Sequence, residues 1–81
     1  MYPDFNIDDV NDNDTVYSGS GVKMTGERFK HIYGTVTGHF QDRMETYAVR
    51  RVEANDSPNA FHVELLSNKG KWIFWVTIHQ A

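Results

Sequence analysis

The fold of this chain is decided by residues 61–79, which read FHVELLSNKGKWIFWVTIH. Large apolar residues alternate with polar ones from Phe61 to Leu65, and this period of two is typical of a strand with one buried face. A turn follows at residues 67–70, because Asn and Gly accept the backbone angles that a tight reversal needs. The segment therefore predicts a β-hairpin.

The length of the turn decides how the two strands of this hairpin pair. A turn of two or four residues places the apolar residues of both strands on one side, with Leu65 opposite Trp72, whereas a turn of three residues separates them. We therefore expect the even turn, which puts His62 opposite Trp75 on the other side. Ile73 lies on that side too. Ile73 and Trp75 have no apolar partner within the hairpin, so either another segment of the chain or a partner molecule covers them.

Composition is typical of a small cytoplasmic protein. At 81 residues the chain is one domain, and it has no cysteine for disulfides, thiolate metal ligands or a thiol nucleophile. No stretch is long and apolar enough to cross a membrane, and the first residues lack the basic and apolar segments of a signal peptide. The formal net charge of −3 argues against a general nucleic-acid binder, which needs a basic surface. We expect a cytoplasmic protein with no membrane partner.

Acidic residues are concentrated at the start of the chain. Five aspartates fall within its first fourteen residues: Asp4, Asp8, Asp9, Asp12 and Asp14. Because Asp and Asn favour caps and turns, this segment is predicted to be an irregular acidic arm with one short turn near residues 7–10. Residues 18–21, SGSG, are typical of a flexible joint. The predicted organisation is an arm with its joint over 1–21 and an antiparallel β domain over 22–81.

Residues 32–40 predict a further strand. Thr, Val and aromatic residues are frequent there and favour extended backbone, and Gly34 and Gly38 mark bends through which a short sheet curls. Residues 25–33 are compatible either with a short helix or with extended backbone, and we prefer the non-helical alternative. The sheet does not depend on that choice.

A strand over residues 47–52 comes next. Its alternation breaks at Arg50 and Arg51, which predicts a bulge. Loop residues 54–59 then lead to the hairpin. The predicted fold class is therefore mostly β, with a single antiparallel sheet of four to five strands that curls into a small barrel and follows the acidic arm.

A fold-level resemblance rests on residues 34–50. Gly34-Thr35-Val36, a short turn and Tyr47–Arg50, followed by the hairpin, resemble the small Src-homology-three-like barrels of KOW-type and Tudor-type domains. The resemblance spans roughly residues 22–79. Members of that superfold bind proteins, peptides, RNA or DNA through loops and an aromatic surface, so the resemblance implies a binding module without selecting its ligand.

Candidate binding residues lie on the second side of the hairpin. An exposed aromatic patch is expected to bind a protein partner there, and its residues are Ile73, Trp75, His62, Thr77 and His79, together with Tyr33. The last strand is also expected to be a sheet edge, where backbone pairing with a second copy of the chain is available. The alternative is that the arm or residues 24–33 cover Ile73 and Trp75 as core.

A second set of candidates is basic. Arg50, Arg51, Lys69 and Lys71 are candidates for an edge that binds anions or nucleic acid, because phosphate binding draws on several clustered cations. Adjacent residues of a regular strand point to opposite faces, so Arg50 and Arg51 form a joint clamp only if a bulge turns both outward.

Catalytic and metal-binding patterns are weak. The four histidines show none of the close spacings of metal ligands. A ribonuclease-like set such as His39, Glu45 and Arg50 is not selected by any spacing. We therefore expect no enzyme activity, no metal site and no cofactor.

Two classes of function follow. The first is a non-enzymatic protein-binding module, in which the aromatic side of the sheet binds a partner and the aspartates meet a basic surface. The alternative for the aspartates is a solvated, disordered tail, which their low apolar content favours. In size and composition the chain resembles the small inhibitors that phages and mobile elements direct against host nucleic-acid enzymes or defence systems, which implies a nucleic-acid-binding host protein as partner. The second class is a nucleic-acid-binding β-barrel that uses Arg, Lys and exposed aromatic residues.

Overall fold

The computed structural model describes residues 5–81 and contains one antiparallel sheet of five strands and one α-helix. A short 3₁₀-helix, Ile7–Asp9, comes first. The other elements in chain order are β1 (Thr15–Ser18), β2 (Lys23–Thr25), α1 (Gly26–Asp42), β3 (Tyr47–Glu53), β4 (Ala60–Ser67) and β5 (Trp72–His79). The strand order across the sheet is β2-β1-β5-β4-β3, and every neighbouring pair is antiparallel.

The predicted fold class agrees with this architecture. A mostly β protein with a single antiparallel sheet of four to five strands is confirmed. The sheet is not closed, because β2 and β3 form its two edges, so the predicted barrel is not confirmed. The tripeptide Gly34-Thr35-Val36, on which the barrel resemblance rests, lies in α1 rather than in a strand.

The hydrophobic core lies between α1 and one side of the sheet. Phe29 of α1 is buried together with residues of three strands, among them Val16, Val63 and Ile78. The Phe29 ring meets the Phe74 ring edge-on, with the two centroids 5.8 Å apart. Apolar burial of this kind is the main favourable contribution to folding. Because side chains alternate along a strand, the residues between these core positions point to the opposite side of the sheet.

Residues 26–42 form α1, so the strand predicted over 32–40 and the non-helical alternative for 25–33 are wrong. The Thr25 hydroxyl accepts a hydrogen bond from the backbone N–H of Arg28 (3.1 Å) and caps the first turn. Capping and burial of the inner side of the helix outweigh the low helix propensity of its Gly and Thr residues.

The helix ends in a Schellman motif that is built on a non-glycine residue. The Glu45 N–H donates to the Phe40 carbonyl (2.9 Å), and the Met44 N–H donates to the Gln41 carbonyl (3.0 Å). Met44 has a φ of 56°, in the left-handed region, and its side chain is 93% exposed. The motif ends α1 and directs the chain toward β3.

The acidic arm, residues 5–14 in the structure, caps the start of α1. The predicted short turn is present as the 3₁₀-helix, and Val10 after it is fully buried. The Gly26 N–H donates to the Asp14 carbonyl (2.7 Å), and the Glu27 N–H donates to the Asp12 carbonyl (3.2 Å). The first N–H groups of a helix have no partner within it, so the arm satisfies two of them.

β1 lies inside the sheet between β2 and β5, although the sequence placed residues 15–18 in the arm and joint. The segment predicted as a flexible joint forms the turn between β1 and β2. The Ser18 N–H donates to the Val22 carbonyl, and the Gly21 N–H donates to the Ser18 carbonyl, both at 2.9 Å. Gly21 has a φ of 91°, a conformation that favours glycine.

The β4–β5 hairpin has the apolar residues of both strands on the core side, but the expected even turn is wrong. Leu66 pairs with Trp72, which leaves an odd number of residues, 67–71, between them, and an irregularity beside this pair returns the apolar residues to one side. The register of the hairpin differs by two residues from the expected one. Leu65 lies opposite Phe74, and His62 lies opposite Thr77 rather than Trp75.

Irregular pairing occurs at the turn end of this hairpin and not in β3. A register shift between Leu65 and Leu66 leaves Trp72, which the sequence assigned to the core, 67% exposed. The bulge predicted at Arg50 and Arg51 is wrong, because β3 pairs with β4 without interruption along its whole length.

Candidate binding face

One side of the sheet faces away from α1 and carries an aromatic surface, which we call the open face. Tyr17, Thr77, His62 and Val52 are successive Cα partners in one row across β1, β5, β4 and β3. The neighbouring rows on the same side follow from the alternation of each strand. The outward side chains of the open face include those of Tyr17, Lys23, Arg50, Val52, His62, Glu64, Leu66, Ile73, Trp75, Thr77 and His79.

Trp75 is held in place in the middle of the open face. Its ring stacks on His62, with the centroids 4.9 Å apart and the planes 18° apart. His62 Nδ1 lies 2.9 Å from Thr77 Oγ1, within hydrogen-bond distance. Gly19 passes beside the indole, and its N–H donates to the Trp75 carbonyl (2.8 Å). A Cβ added to Gly19 would lie 3.5 Å from Cε3 of Trp75. A side chain that is already ordered loses less entropy when a partner covers it.

Trp75 and Ile73 are accessible, at 37% and 43% exposure. The arm and α1 pack on the other side of the sheet with Val10 and Phe29 in the core, so the alternative in which they cover Trp75 and Ile73 is wrong. Within residues 5–81 these two apolar side chains therefore form an open patch.

The sequence interpretation missed Tyr17. Its ring meets the His79 ring edge-on at a centroid distance of 5.3 Å, so it extends the surface that His62, Thr77 and His79 form. The alternation of buried Val16 with outward Tyr17 is a strand signal, but it spans only a four-residue strand beside a Gly/Ser-rich turn.

Tyr33 does not contribute to the open face. It belongs to α1 on the core side, where its ring centroid lies 5.7 Å from that of Phe5 and 6.2 Å from that of Phe29. Burial raises the pKa of the Tyr33 phenol above its ordinary value of 10.0, and nearby Tyr47 raises this pKa further.

The two adjacent arginines point to opposite sides of β3. On the open face, Arg50 Nη1 lies 3.5 Å from Glu64 Oε2. On the core side, the Arg51 guanidinium lies 3.9 Å from the centre of the Phe61 ring, and its Nε donates to a Glu53 oxygen at 2.7 Å. Arg50 and Arg51 therefore do not form a joint anion clamp.

Lys69 and Lys71 are exposed in the turn between β4 and β5. The Ser67 hydroxyl accepts a hydrogen bond from the backbone N–H of each lysine, at 3.3 Å. Their ammonium groups are thus carried on an ordered turn, at some distance along the chain from the two arginines of β3.

Asp14 is a structural residue. It is 1% exposed, and its two carboxylate oxygens accept hydrogen bonds from the backbone N–H groups of Asn11 and Ala81, both at 2.9 Å. It therefore fixes the arm to the end of β5 and is not available to a partner. Asp4 lies outside the described residues.

The other arm aspartates are partly neutralised. Asp12 pairs with Lys30 at 3.0 Å, and Asp9 pairs with Arg51 at 3.7 Å. Asp8 is exposed at the surface. The arm thus offers less free negative charge than its sequence indicates.

The free edges of the sheet are β2 and β3. The prediction that the last strand, β5, is an edge is therefore wrong. β1 covers the end of β5 from Val76 to His79, whereas Trp72–Phe74 lie beside β4 alone among the strands of residues 5–81. Pairing of a second chain along the whole of β5 is therefore blocked by β1.

The histidines are divided between two elements. His31 and His39 lie on α1, whereas His62 and His79 lie on the open face. Over residues 5–81, no group of three His, Asp or Glu side chains is placed to hold a metal ion. The described part of the chain has no helix with the length and apolar character of a membrane span.

No protein-family model matches the chain, and the searches of curated proteins and of solved structures found no match.

Proposed function

We propose that this protein is a small non-enzymatic binding module whose open face docks a protein partner. The observation that supports this function is the stack of Trp75 on His62, which holds an accessible indole beside Ile73 on the uncovered side of the sheet. Tryptophan is enriched among the residues that dominate interface energies, because it brings a large apolar area with few rotatable bonds. Thr77 and His79 supply polar groups around this apolar centre.

The charge distribution favours a protein over a nucleic acid as the partner. Arg50 and Arg51 point to opposite sides of the sheet, and each contacts a carboxylate. They do not line up along one phosphate backbone, and the net charge of −3 repels a polyanion. The nucleic-acid alternative then depends on Lys69 and Lys71 alone among its predicted residues.

The narrower expectation, an inhibitor that presents its aspartates to a nucleic-acid-binding host protein, stays a prediction. Its support is the small size and acidic composition of the chain. The burial of Asp14 and the ion pairs of Asp9 and Asp12 reduce the negative charge that the arm offers. The open face, rather than the arm, is therefore expected to provide most of the binding energy.

The test is affinity capture with the full chain from extracts of the cells that produce it, followed by calorimetry with the purified captured protein. We expect Trp75→Ala to weaken binding about 30-fold, the equivalent of about 2 kcal/mol for a central interface tryptophan. Ile73→Ala should weaken binding by a smaller factor. Met44→Ala is the matched control, because Met44 is an exposed apolar residue at the end of α1 and away from the open face.

A folding measurement separates binding from structure in these variants. Trp75→Ala loses the stack with His62 and the partial burial of an indole that is 37% exposed. The two losses together amount to about 3 kcal/mol of unfolding free energy, less than the ~5–15 kcal/mol typical of a domain, so Trp75→Ala is expected to fold. A folded Trp75→Ala protein that keeps the affinity of the wild type, together with an unaffected Ile73→Ala protein, contradicts the proposed function.

A further inference from the structure

Exposed apolar residues are concentrated at one end of the sheet. Within residues 5–81, five large hydrophobic side chains are exposed, and four of them belong to the β1–β2 turn or to the start of β5: Val22, Trp72, Ile73 and Trp75. The fifth, Met44, lies at the end of α1. We call the end formed by the two turns, residues 19–22 and 68–71, together with the start of β5, the turn end.

The topology explains why these segments are neighbours. β1 runs antiparallel to β5, with Ser18 opposite Val76, so the chain that follows β1 lies beside the first residues of β5. The hydrogen bond from the Gly19 N–H to the Trp75 carbonyl fixes this contact. The β1–β2 turn, which carries Val22, thus lies at the same end of the sheet as Trp72, Ile73 and Trp75.

The turn end is also locally basic. Lys23, Lys69 and Lys71 are exposed there, and the segments 18–23 and 67–75 contain no Asp or Glu. None of these lysines forms an ion pair with another residue of the described chain. The one carboxylate of the open face, Glu64, has a side chain only 12% exposed and pairs with Arg50. A chain of net charge −3 therefore carries an uncompensated positive charge at its most apolar surface.

We infer that the turn end binds an acidic protein segment that carries large apolar side chains. This inference rests on the proposed function and specifies the chemistry of the partner. Apolar side chains of the segment cover Trp72, Ile73 and Trp75, while its carboxylates lie near the three lysines. Charge complementarity at such a rim raises the association rate and selects the partner, and the apolar contacts supply most of the affinity.

An acidic peptide fits this surface better than a phosphate polymer does. Bases stack on aromatic rings, but the aliphatic Val22 and Ile73 offer no stacking surface. Strong phosphate binding also needs more cations than Lys23, Lys69 and Lys71 provide against the net charge of the chain.

The test selects a phage-displayed library of random peptides on the immobilised full chain. Enriched peptides are expected to combine Asp or Glu with Trp, Phe, Leu or Ile, and their synthetic copies should bind more weakly as the salt concentration rises. The double variant Lys69→Glu/Lys71→Glu should lose about tenfold in affinity. The matched control is Arg28→Glu/Arg43→Glu, which changes the net charge equally at exposed positions of α1 and its cap.

The outcomes separate this inference from the proposed function. The acidic partner is overturned if the enriched peptides show no acidic bias, or if Lys69→Glu/Lys71→Glu leaves their affinity unchanged. In either case, loss of peptide binding in Trp75→Ala still supports a protein-binding face. Self-association lost in Trp72→Ala assigns the surface to a second copy of the chain and also overturns the inference. Absence of any enriched peptide, with lysine-dependent binding of oligothymidylate or of phosphatidylserine vesicles instead, overturns both.

Discussion

Substitution of Gly26 by alanine tests whether the arm holds the start of α1. Gly26 is the first residue of the helix and lies against the arm. A Cβ at this position would overlap the carbonyl oxygen of Asn11 and lie 3.2 Å from Val10 Cγ1. Because the overlap involves backbone, a side-chain rotation cannot relieve it, and the arm must move away from the helix.

The magnitude follows from the contacts that this movement breaks. The hydrogen bonds from the Gly26 and Glu27 N–H groups to the arm each contribute about 1 kcal/mol. Val10 is fully buried, and loss of its burial costs about 1.5 kcal/mol. Alanine returns up to about 1 kcal/mol through its higher helix propensity. Gly26→Ala should therefore lower the unfolding free energy by about 2 to 3 kcal/mol, a large share of the ~5–15 kcal/mol typical of a domain.

Urea unfolding followed by far-ultraviolet circular dichroism measures this change. The matched control is Gly34→Ala in the same helix, where a Cβ meets no atom within 4 Å, so this variant should gain about 0.5 to 1 kcal/mol. The two substitutions are chemically identical and are expected to shift the midpoint in opposite directions. A Gly26→Ala protein that is as stable as the wild type, with an unchanged denaturant slope, would refute the capping role of the arm.

Three further predictions concern the helix end, the buried carboxylate and pH. Met44→Gly should raise the unfolding free energy by about 0.5 to 1 kcal/mol and the thermal midpoint by about 3 to 6 °C. The backbone of Met44 is in the left-handed region, which glycine adopts without strain, and its exposed side chain has little packing to lose. Asp14→Ala should cost about 2 to 4 kcal/mol in urea unfolding and accelerate exchange of the Ala81 amide, because two backbone N–H groups lose their acceptor. Burial raises the pKa of Tyr33 in the folded state, so the stability that the neutral phenol contributes is fully present below pH 10 and is lost as the pH rises through the raised pKa. Over that pH range, the thermal midpoint of Tyr33→Phe should fall less than that of the wild type.

The hairpin could be predicted from the sequence, whereas α1 could not. Ile32, Val36 and Phe40 are four residues apart, and a spacing of four is compatible with both a strand of period two and a helix of period 3.6. Phe29 and Tyr33 share the inner side of the helix. The set Phe29, Tyr33, Val36 and Phe40 has spacings of four, three and four, which fit a helix but not a strand. The frequent Gly and Thr residues favoured the strand interpretation, and tertiary packing of Phe29 reversed it.

β1 and the arm depend on contacts that are distant in sequence. The four residues of β1 carry little strand signal of their own, and their pairing with β5 supplies the missing energy. Asp14 accepts a hydrogen bond from Ala81, 67 positions later in the chain. No local pattern contains such a contact, so the acidic character of Asp14 pointed to a solvated arm rather than to a buried acceptor.

The apolar pattern predicted which side of the hairpin is buried, but it predicted neither the odd turn nor the register. Two registers that differ by two residues place the same side chains on the same side of the sheet. The expected register puts Trp72 opposite Leu65, and the observed one puts Phe74 there. The aromatic ring of Phe74 reaches Phe29 of α1, so the helix, which the sequence did not predict, takes part in choosing the register.

This choice of register has a consequence for function. Full burial of one large apolar side chain contributes about 1.5 to 3 kcal/mol, and a chain of 81 residues has few such side chains to bury. The observed fold nevertheless leaves Trp72, Ile73 and Trp75 exposed at the turn end and on the open face. An antiparallel sheet with one solvated face ordinarily carries polar residues at such positions. Stability alone does not account for three large apolar residues in one exposed region, and departures from the folding pattern are expected where a surface has to bind a partner.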